Sequence, residues 1–190
     1  MKIYLPLIVG PLLLVSLRSS ADLPPDVFIG DSIIAFMPAG TLPAHALNLG
    51  VSGTTTAQIL ASLAKAPVNA RVIYVEGGVN DFLNADASQI VLNYVKIIAA
   101  APMGAMIKVI GIIPVNEAQL AANRDFLQFV DNQKIADANA QIGAACAMSR
   151  RCSVVPAPFG QNLPTTATVG DGIHLNAEGY ETLNAAIRGR

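Results

Sequence analysis

The sequence predicts a three-layer α/β domain. Two patterns carry that prediction: short apolar runs bounded by Gly or Pro, which read as buried parallel strands, and helical periodicity in the segments between them. Composition agrees. Of all residues 53% are apolar but only 5% aromatic, and this dominance of Ala, Val, Ile and Leu suits helices packed on a covered sheet. A chain of 190 residues fits one domain and can bury a sizeable core without staples.

The start of the chain stands apart. Met1-Lys2 is a short positive opening, Ile3 to Leu17 is apolar apart from Ser16 and the helix breakers Pro6 and Pro11, and Ser19-Ser20-Ala21 supplies small residues in a cleavage-site pattern. This is the layout of a signal peptide, and the apolar run is short for a membrane span. Residues 1–21 are therefore read as a leader and 22–190 as the domain, with an uncleaved amino-terminal anchor as the alternative. The protein is expected to be exported, with no stable membrane span once the leader is removed.

After a Pro-containing lead-in from Asp22 to Asp26, Val27–Ile29 is the first strand. Ile33 to Met37 begins a short helix, stopped by Pro38 and Gly40. Ala46 to Gly50 reads as the second strand, followed by a tight turn at Val51-Ser52-Gly53-Thr54. Thr55 and Gln58 have the spacing of a capping box, so a helix starts there with Ile59, Leu60 and Leu63 on its apolar face. Pro67 ends it. Arg71 to Glu76 is the third strand. Asp86 and Gln89 form another capping spacing, and the helix beyond carries Ile90, Val91, Tyr94, Val95, Ile97 and Ile98. Met106 to Ile113, apolar except for Lys108, is a fourth and central strand. Asn116 to Met148 reads as helical with a break near Asn123. Val154-Val155 is the fifth strand, 156–175 a long loop, and Asn176 to Ile187 a last helix. Right-handed crossovers between the strands complete the architecture.

Charge and cysteine usage exclude several classes. Net charge is −1 and no run of Lys or Arg follows the leader, so no nucleic-acid partner is expected. Neither cysteine has metal-ligand spacing and the chain has two His, so no metal site is predicted, and no cofactor. In an exported chain an even cysteine count favours a disulfide between Cys146 and Cys152; two buried free thiols are the alternative.

Four polar stretches remain: Gly30-Asp31-Ser32, Gly50-Val51-Ser52-Gly53, Gly78-Val79-Asn80-Asp81 and Asp171-Gly172-Ile173-His174. Three follow strands at the carboxyl edge, where open α/β sheets bind ligands, and the fourth precedes the last helix. Together they contain what ester hydrolysis needs. A serine hydroxyl is a weak nucleophile without a base within reach, and His174 can supply that base for Ser32. Asp171, three residues before the histidine, can fix its tautomer. The backbone N–H groups of Ser32 and Gly53 and the Asn80 amide are candidate oxyanion donors, each worth about 2.7–4 kcal/mol of barrier.

In family order, these four stretches resemble the four blocks of the SGNH (GDSL-type) hydrolases. Ala44 through Thr56 also resembles the second-block region of the platelet-activating-factor acetylhydrolase catalytic subunits. The resemblance covers roughly residues 26–187. It implies a flavodoxin-like sandwich with a five-stranded parallel sheet in the order 2-1-3-4-5. It further implies Ser32 as nucleophile, His174 as base, Asp171 as its partner, and Ser32, Gly53 and Asn80 as the oxyanion hole. The substrate class implied is an ester of a lipid, a sugar or a small alcohol. One position departs from the pattern: Ile33 stands where the family commonly has Leu.

Other residues carry competing readings. Ser52 is a rival nucleophile without the strand-to-turn placement of Ser32. His45 lies outside the blocks and reads as a surface or turn residue. Asp31 and Asp81 read as partners of local backbone, and Glu76 ends a strand with no partner evident. Phe36, Met37, Phe82, Leu83 and Phe159 either line a pocket or fill the core. Short links between the blocks leave little chain for a lid, which favours short acyl groups. A non-catalytic carbohydrate-binding module on the same fold is the rival function. A nucleotide- or flavin-binding protein is disfavoured, because Gly30-Asp31-Ser32 puts a carboxylate where a phosphate would need N–H donors.

Overall fold

The computed structural model describes residues 23–84, 86–121 and 129–189. The leader and the expected break at Asn123 lie outside these residues. Five strands form one wholly parallel sheet: β1 (Asp26–Gly30), β2 (Leu47–Asn48), β3 (Val72–Glu76), β4 (Met106–Ile110) and β5 (Cys152–Val155). Their order across the sheet is β2-β1-β3-β4-β5. The helices are α1 (Ser32–Ala35), α2 (Thr56–Ser62), α3 (Ala87–Ala100), α4 (Glu117–Leu120), α5 (Asn132–Ala147) and α6 (Ala177–Ile187).

Alternation along the strands creates the three layers. Val27, Ile29, Ile73, Val75, Ile107 and Val109 point to one face, where they meet α2, α3 and α5 through residues such as Ile59, Tyr94 and Ile142. Phe28, Val72 and Tyr74 point to the other, against α1 and α6 through Ile33, Tyr180 and Leu183. The register pairs Phe28 with Tyr74, and their rings stack 4.4 Å apart. Lys108, the polar interruption in β4, pairs with Tyr74 on the other side and sets its Nζ 5.4 Å above that ring. A cation over an aromatic face makes the charge tolerable on a half-covered strand.

The structure corrects three expectations. β2 is shorter than Ala46–Gly50 because it is an edge strand with both residues exposed; beyond it, Leu49 and Val51 still donate to the Phe28 and Gly30 carbonyls. β4 stops at Ile110 rather than Ile113. Two asparagines on α5, seven residues apart and so on one face, replace the ladder there. Asn139 accepts from the Ile112 N–H and donates to its carbonyl, and Asn132 does the same for Val115. Val95 faces solvent, because the inner stripe of α3 is Ile90, Asn93, Tyr94, Ile97 and Ile98. Within the segment 116–148, expected to be helical with a break, residues 129–131 are not helical and Asp131 caps a fresh start by accepting from the Lys134 N–H.

Both expected helix starts have their caps. Gln58 Oε1 accepts from the Thr55 N–H at 2.8 Å, and Asp86 Oδ1 accepts from the Gln89 N–H at 3.0 Å. Cys146 at the end of α5 is disulfide-bonded to Cys152 at the start of β5, with Cα atoms 5.2 Å apart.

Candidate active site

β1 ends at Gly30 and turns directly into α1. A Cβ at Gly30 would collide with the Glu76 carbonyl on β3 and the Ile34 side chain, so only glycine lets the chain pass. Asp31 caps α1, its Oδ1 accepting the Ile33 N–H at 2.9 Å. Ser32 is the first helical residue, and the first N–H groups of a helix have no intrahelical acceptor. The turn thus presents a hydroxyl and a free N–H together at the carboxyl edge.

The last loop brings the other two groups to it. His174 Nε2 lies 3.0 Å from Ser32 Oγ, and His174 Nδ1 lies 2.6 Å from Asp171 Oδ2. Asp171 Oδ1 also accepts the N–H groups of Ile173 and His174, each at 2.9 Å. Burial works to raise the Asp171 carboxyl, but the Ile173 N–H, the imidazole and the His174 N–H outweigh it and hold the group below its ordinary value. α4 anchors this loop: the Asn116 N–H donates to the Gly172 carbonyl at 2.8 Å, and Thr168 Oγ1 donates to Gln119 at 2.7 Å. Gly172 has φ +81° and packs against Asn116 and Leu120, so a side chain there would be strained and crowded. Ser32 is buried, whereas the His174 and Asp171 side chains are about one-third exposed (32% and 33%), which leaves the constellation open to solvent.

The remaining blocks converge on the same edge. The turn after β2 sits on the end of β1, with Val51 N–H and Thr54 Oγ1 both donating to the Gly30 carbonyl. Gly53 lies in this turn at φ +76°, with open space where a Cβ would stand. Among the described residues, its N–H and that of Ser32 meet no protein acceptor. The Asn80 amide is not idle. It donates to the Thr54 carbonyl at 3.0 Å and approaches Asp31 Oδ2 at 3.4 Å. Asp81 also departs from expectation: its partners are not local. Its carboxylate accepts from the Thr56 N–H at 2.8 Å and from the Thr56 hydroxyl, which in turn accepts from Asn93 at 2.8 Å. Burial raises the Asp81 carboxyl, opposed by those Thr56 donors. The block therefore clamps the Asn80 turn to the start of α2.

Beneath Ser32 lies a feature that the sequence does not reveal. Gly30 pairs with Glu76 in the β1–β3 register, which places the buried carboxyls of Asp31 and Glu76 against each other. Desolvation raises Asp31 to about 6, against the lowering pull of the Ile33 N–H and a hydrogen bond from Glu76. Desolvation and the Asp31 charge push Glu76 well above its ordinary value. Of the two, Glu76 is the acid that burial and its neighbour's charge push towards keeping its proton. Tyr180 Oη donates to the Ile33 carbonyl at 2.9 Å and Tyr94 Oη to the Gly77 carbonyl at 2.8 Å, which brace the turns on either side.

The competing residues separate clearly. Phe36 is exposed, its ring 5.6 Å from the His174 ring, whereas Met37, Phe82 and Phe159 are core and Leu83 is half-buried. Ser52 is exposed and makes no bond to His174. His45 lies at the opposite edge of the sheet, in a cavity lined by Leu23, Pro24, Asp26, Pro43, Ala44 and Arg71.

Fold and site define an α/β protein of flavodoxin-like strand order that carries a hydrogen-bonded Ser–His–Asp set at the carboxyl edge of its sheet. The model of the GDSL-like lipase/acylhydrolase family matches residues 28–182, and the chain belongs to that family of ester hydrolases. Solved structures share the fold. A Streptococcus pneumonia protein provisionally named a platelet activating factor is 24% identical, with 90% of this chain and 85% of that one covered at a TM-score of 0.78. A GDSL-like lipase from Bacteroides thetaiotaomicron is 21% identical, with 87% and 86% covered at 0.69. Est24, a carbohydrate acetylesterase from Sinorhizobium meliloti, is 17% identical, with 87% and 97% covered at 0.66. No curated protein matches the chain in sequence.

Proposed function

We propose that the protein hydrolyses carboxylic esters through an acyl-enzyme formed on Ser32. The observation that carries this reading is the continuous line from Asp171 Oδ2 through the His174 ring to Ser32 Oγ. His174 Nε2 takes the Ser32 proton as Oγ attacks the ester carbonyl, and returns it to the departing alcohol. Asp171 keeps Nδ1 protonated and stabilises the imidazolium. The N–H groups of Ser32 and Gly53 receive the oxyanion. The Asn80 amide joins them by yielding its longer contact to Asp31 while keeping its bond to Thr54, which fixes its orientation. Water activated by His174 then releases the acid.

Short-chain acyl or acetyl esters of lipids, sugars or small alcohols are the proposed substrates. The exposure of His174 and Asp171 supports this, since an open site offers little wall for a long acyl chain. The fold neighbours named as a carbohydrate acetylesterase and an acetylxylan esterase point the same way. Export through a leader at residues 1–21 is part of the proposal, supported by the Cys146–Cys152 disulfide. The test is Ser32→Ala assayed on p-nitrophenyl esters of two to twelve carbons. Turnover is expected to fall by at least about 10⁴-fold, and the intact protein to prefer the shortest esters. Undiminished turnover in the variant would refute the mechanism.

A further inference from the structure

We propose that the edge of the sheet opposite Ser32 is a docking surface for an anionic lipid membrane. In a parallel sheet every strand begins at that edge, and the segments leading into the strands share a distinctive chemistry. Among the described residues their charged side chains are Lys65, Arg71, Arg150 and Arg151, joined by Arg188 after α6, and the carboxylate of Asp26; Asp22, in the same lead-in to β1, lies outside the described residues. Asp26 is already bonded to Arg71 at 2.7 Å. Acids gather at the other end, where strands finish or helices start: Asp31, Asp81, Asp86, Glu117, Asp131 and Asp171, with Lys134 beside Asp131 as a cation among them. The molecule is electrically polarised along its strands, although its net charge is only −1.

Backbone contacts establish that these lead-ins form one surface. The Arg71 N–H donates to the Pro25 carbonyl, the Met106 N–H to Arg71, and the Ile107 N–H to Arg151. The Arg151 guanidinium donates to the Pro102 carbonyl at 2.8 Å. Apolar side chains stand out among the cations: Val68 is 88% exposed, Met103 85% and Met148 90%. Each comes from a different lead-in, and Val68 and Met103 border a groove of about 550 Å³ with Leu60, Leu63, Ala66 and Pro102. Isolated apolar side chains among lysines and arginines suit a headgroup region, which accepts both.

The direction of the chain selects a membrane over other partners. Leu23, the first described residue, lies exposed at this edge. The preceding residues include the apolar run Ile3–Leu17. If retained, that run tethers this edge to the bilayer; if removed, the new α-amino group is offset by the Asp22 carboxylate and the cations of the lead-ins carry the attraction. Strands of about five residues at roughly 3.3 Å each separate this edge from Ser32. A docked protein would hold its site about 17 Å from the lipid surface, turned away from it. On the esterase reading this favours esters in solution or on polymers over the lipids of the docking membrane.

Vesicle co-sedimentation of the full chain tests the surface, comparing phosphatidylcholine vesicles with vesicles containing 30% phosphatidylglycerol. Two variants are compared with the wild type: Lys65→Gln/Arg150→Gln/Arg188→Gln and Val68→Ser/Met103→Ser/Met148→Ser. Binding to the anionic vesicles is expected to exceed binding to neutral ones and to weaken with salt. The charge variant should lose about 100-fold in anionic partitioning, at about fivefold per cation, and the serine variant should weaken binding to both vesicles. Turnover of a water-soluble ester should stay unchanged in both, and Ser32→Ala should bind vesicles as the wild type does. Equal binding to the two vesicle types, or an unaffected charge variant, would overturn the proposal. So would a dimer abolished by the serine substitutions in a protein that ignores vesicles, which would assign the surface to a second copy.

Discussion

Glu76→Gln should change how stability depends on pH, and the direction follows from the buried pair. Glu76 is 1% exposed, its Oε2 meets no hydrogen-bond partner among the described residues, and desolvation together with the Asp31 charge raises its carboxyl well above the ordinary value of 4.5. An acid whose folded value is raised contributes stability that is complete below the unfolded value and is lost as pH rises through the folded one. The folded protein therefore keeps a proton on Glu76 that the unfolded chain has released. Each such proton makes stability fall by about 1.4 kcal/mol per pH unit. The loss continues as pH rises for as long as the folded protein keeps that proton. Asp31, raised to about 6, adds its own loss mainly below pH 6. The amide that Glu76→Gln introduces would donate to Asp31 as the neutral acid does, but has no proton to lose.

Urea unfolding at pH 6, 7 and 8 measures the difference directly. Groups common to both proteins cancel in it. The variant should gain on the wild type by about 1.4 kcal/mol per pH unit until Glu76 ionises, and should be the more stable protein in mild alkali. Parallel curves for the two proteins would refute the argument. They would mean that Glu76 is already ionised at pH 6.

Two further variants probe the site and the disulfide clip. Asn80→Ala should lower kcat about 10²–10³-fold on a soluble ester if its amide serves the oxyanion, and a loss below tenfold would remove it from that role. Replacing both Cys146 and Cys152 with Ser opens a loop closed by a sequence separation of 6. On the chain-entropy account this should cost about 2 kcal/mol in denaturant unfolding while leaving kcat unchanged, and no change in midpoint would refute that estimate.

What the sequence discloses and what it withholds divide along a physical line. Asp171 and His174 are three residues apart, so their meeting is a local matter of one turn. The caps at Thr55 and Asp86 are equally local, and so are legible. Sheet order and the convergence of four distant blocks come from resemblance, since nothing in composition states which strands neighbour each other. The Glu76–Asp31 pair depends on strand register, which joins Gly30 to Glu76 across 46 positions. The clamp from Asp81 to Thr56 spans 25 positions, and the Asn132 and Asn139 props that end β4 early span 17 and 27. Val95 departs from expectation for a different reason: an apolar helix has more apolar residues than its buried stripe can hold, and Asn93 occupies an inner position because Thr56 waits for it.

The buried acids also explain how this site is held at the edge of the sheet. Burying two carboxyls is unfavourable, and a pair that shares a proton is a compromise between desolvation and repulsion. Yet Asp31 Oδ1 fixes the Ile33 N–H and hence the turn that aims Ser32, while its Oδ2 lies 3.4 Å from the Asn80 amide. One carboxylate thus reaches both the nucleophile's turn and a candidate oxyanion donor. Glu76 holds that carboxylate from below, where β3 ends. Removing the acid from Glu76 should therefore relieve stability more than it harms geometry, whereas removing Asp31 would loosen two parts of the site at once. The contrast between a stabilised Glu76→Gln and an impaired Asp31→Ala is what separates an energetic liability from a positioning group.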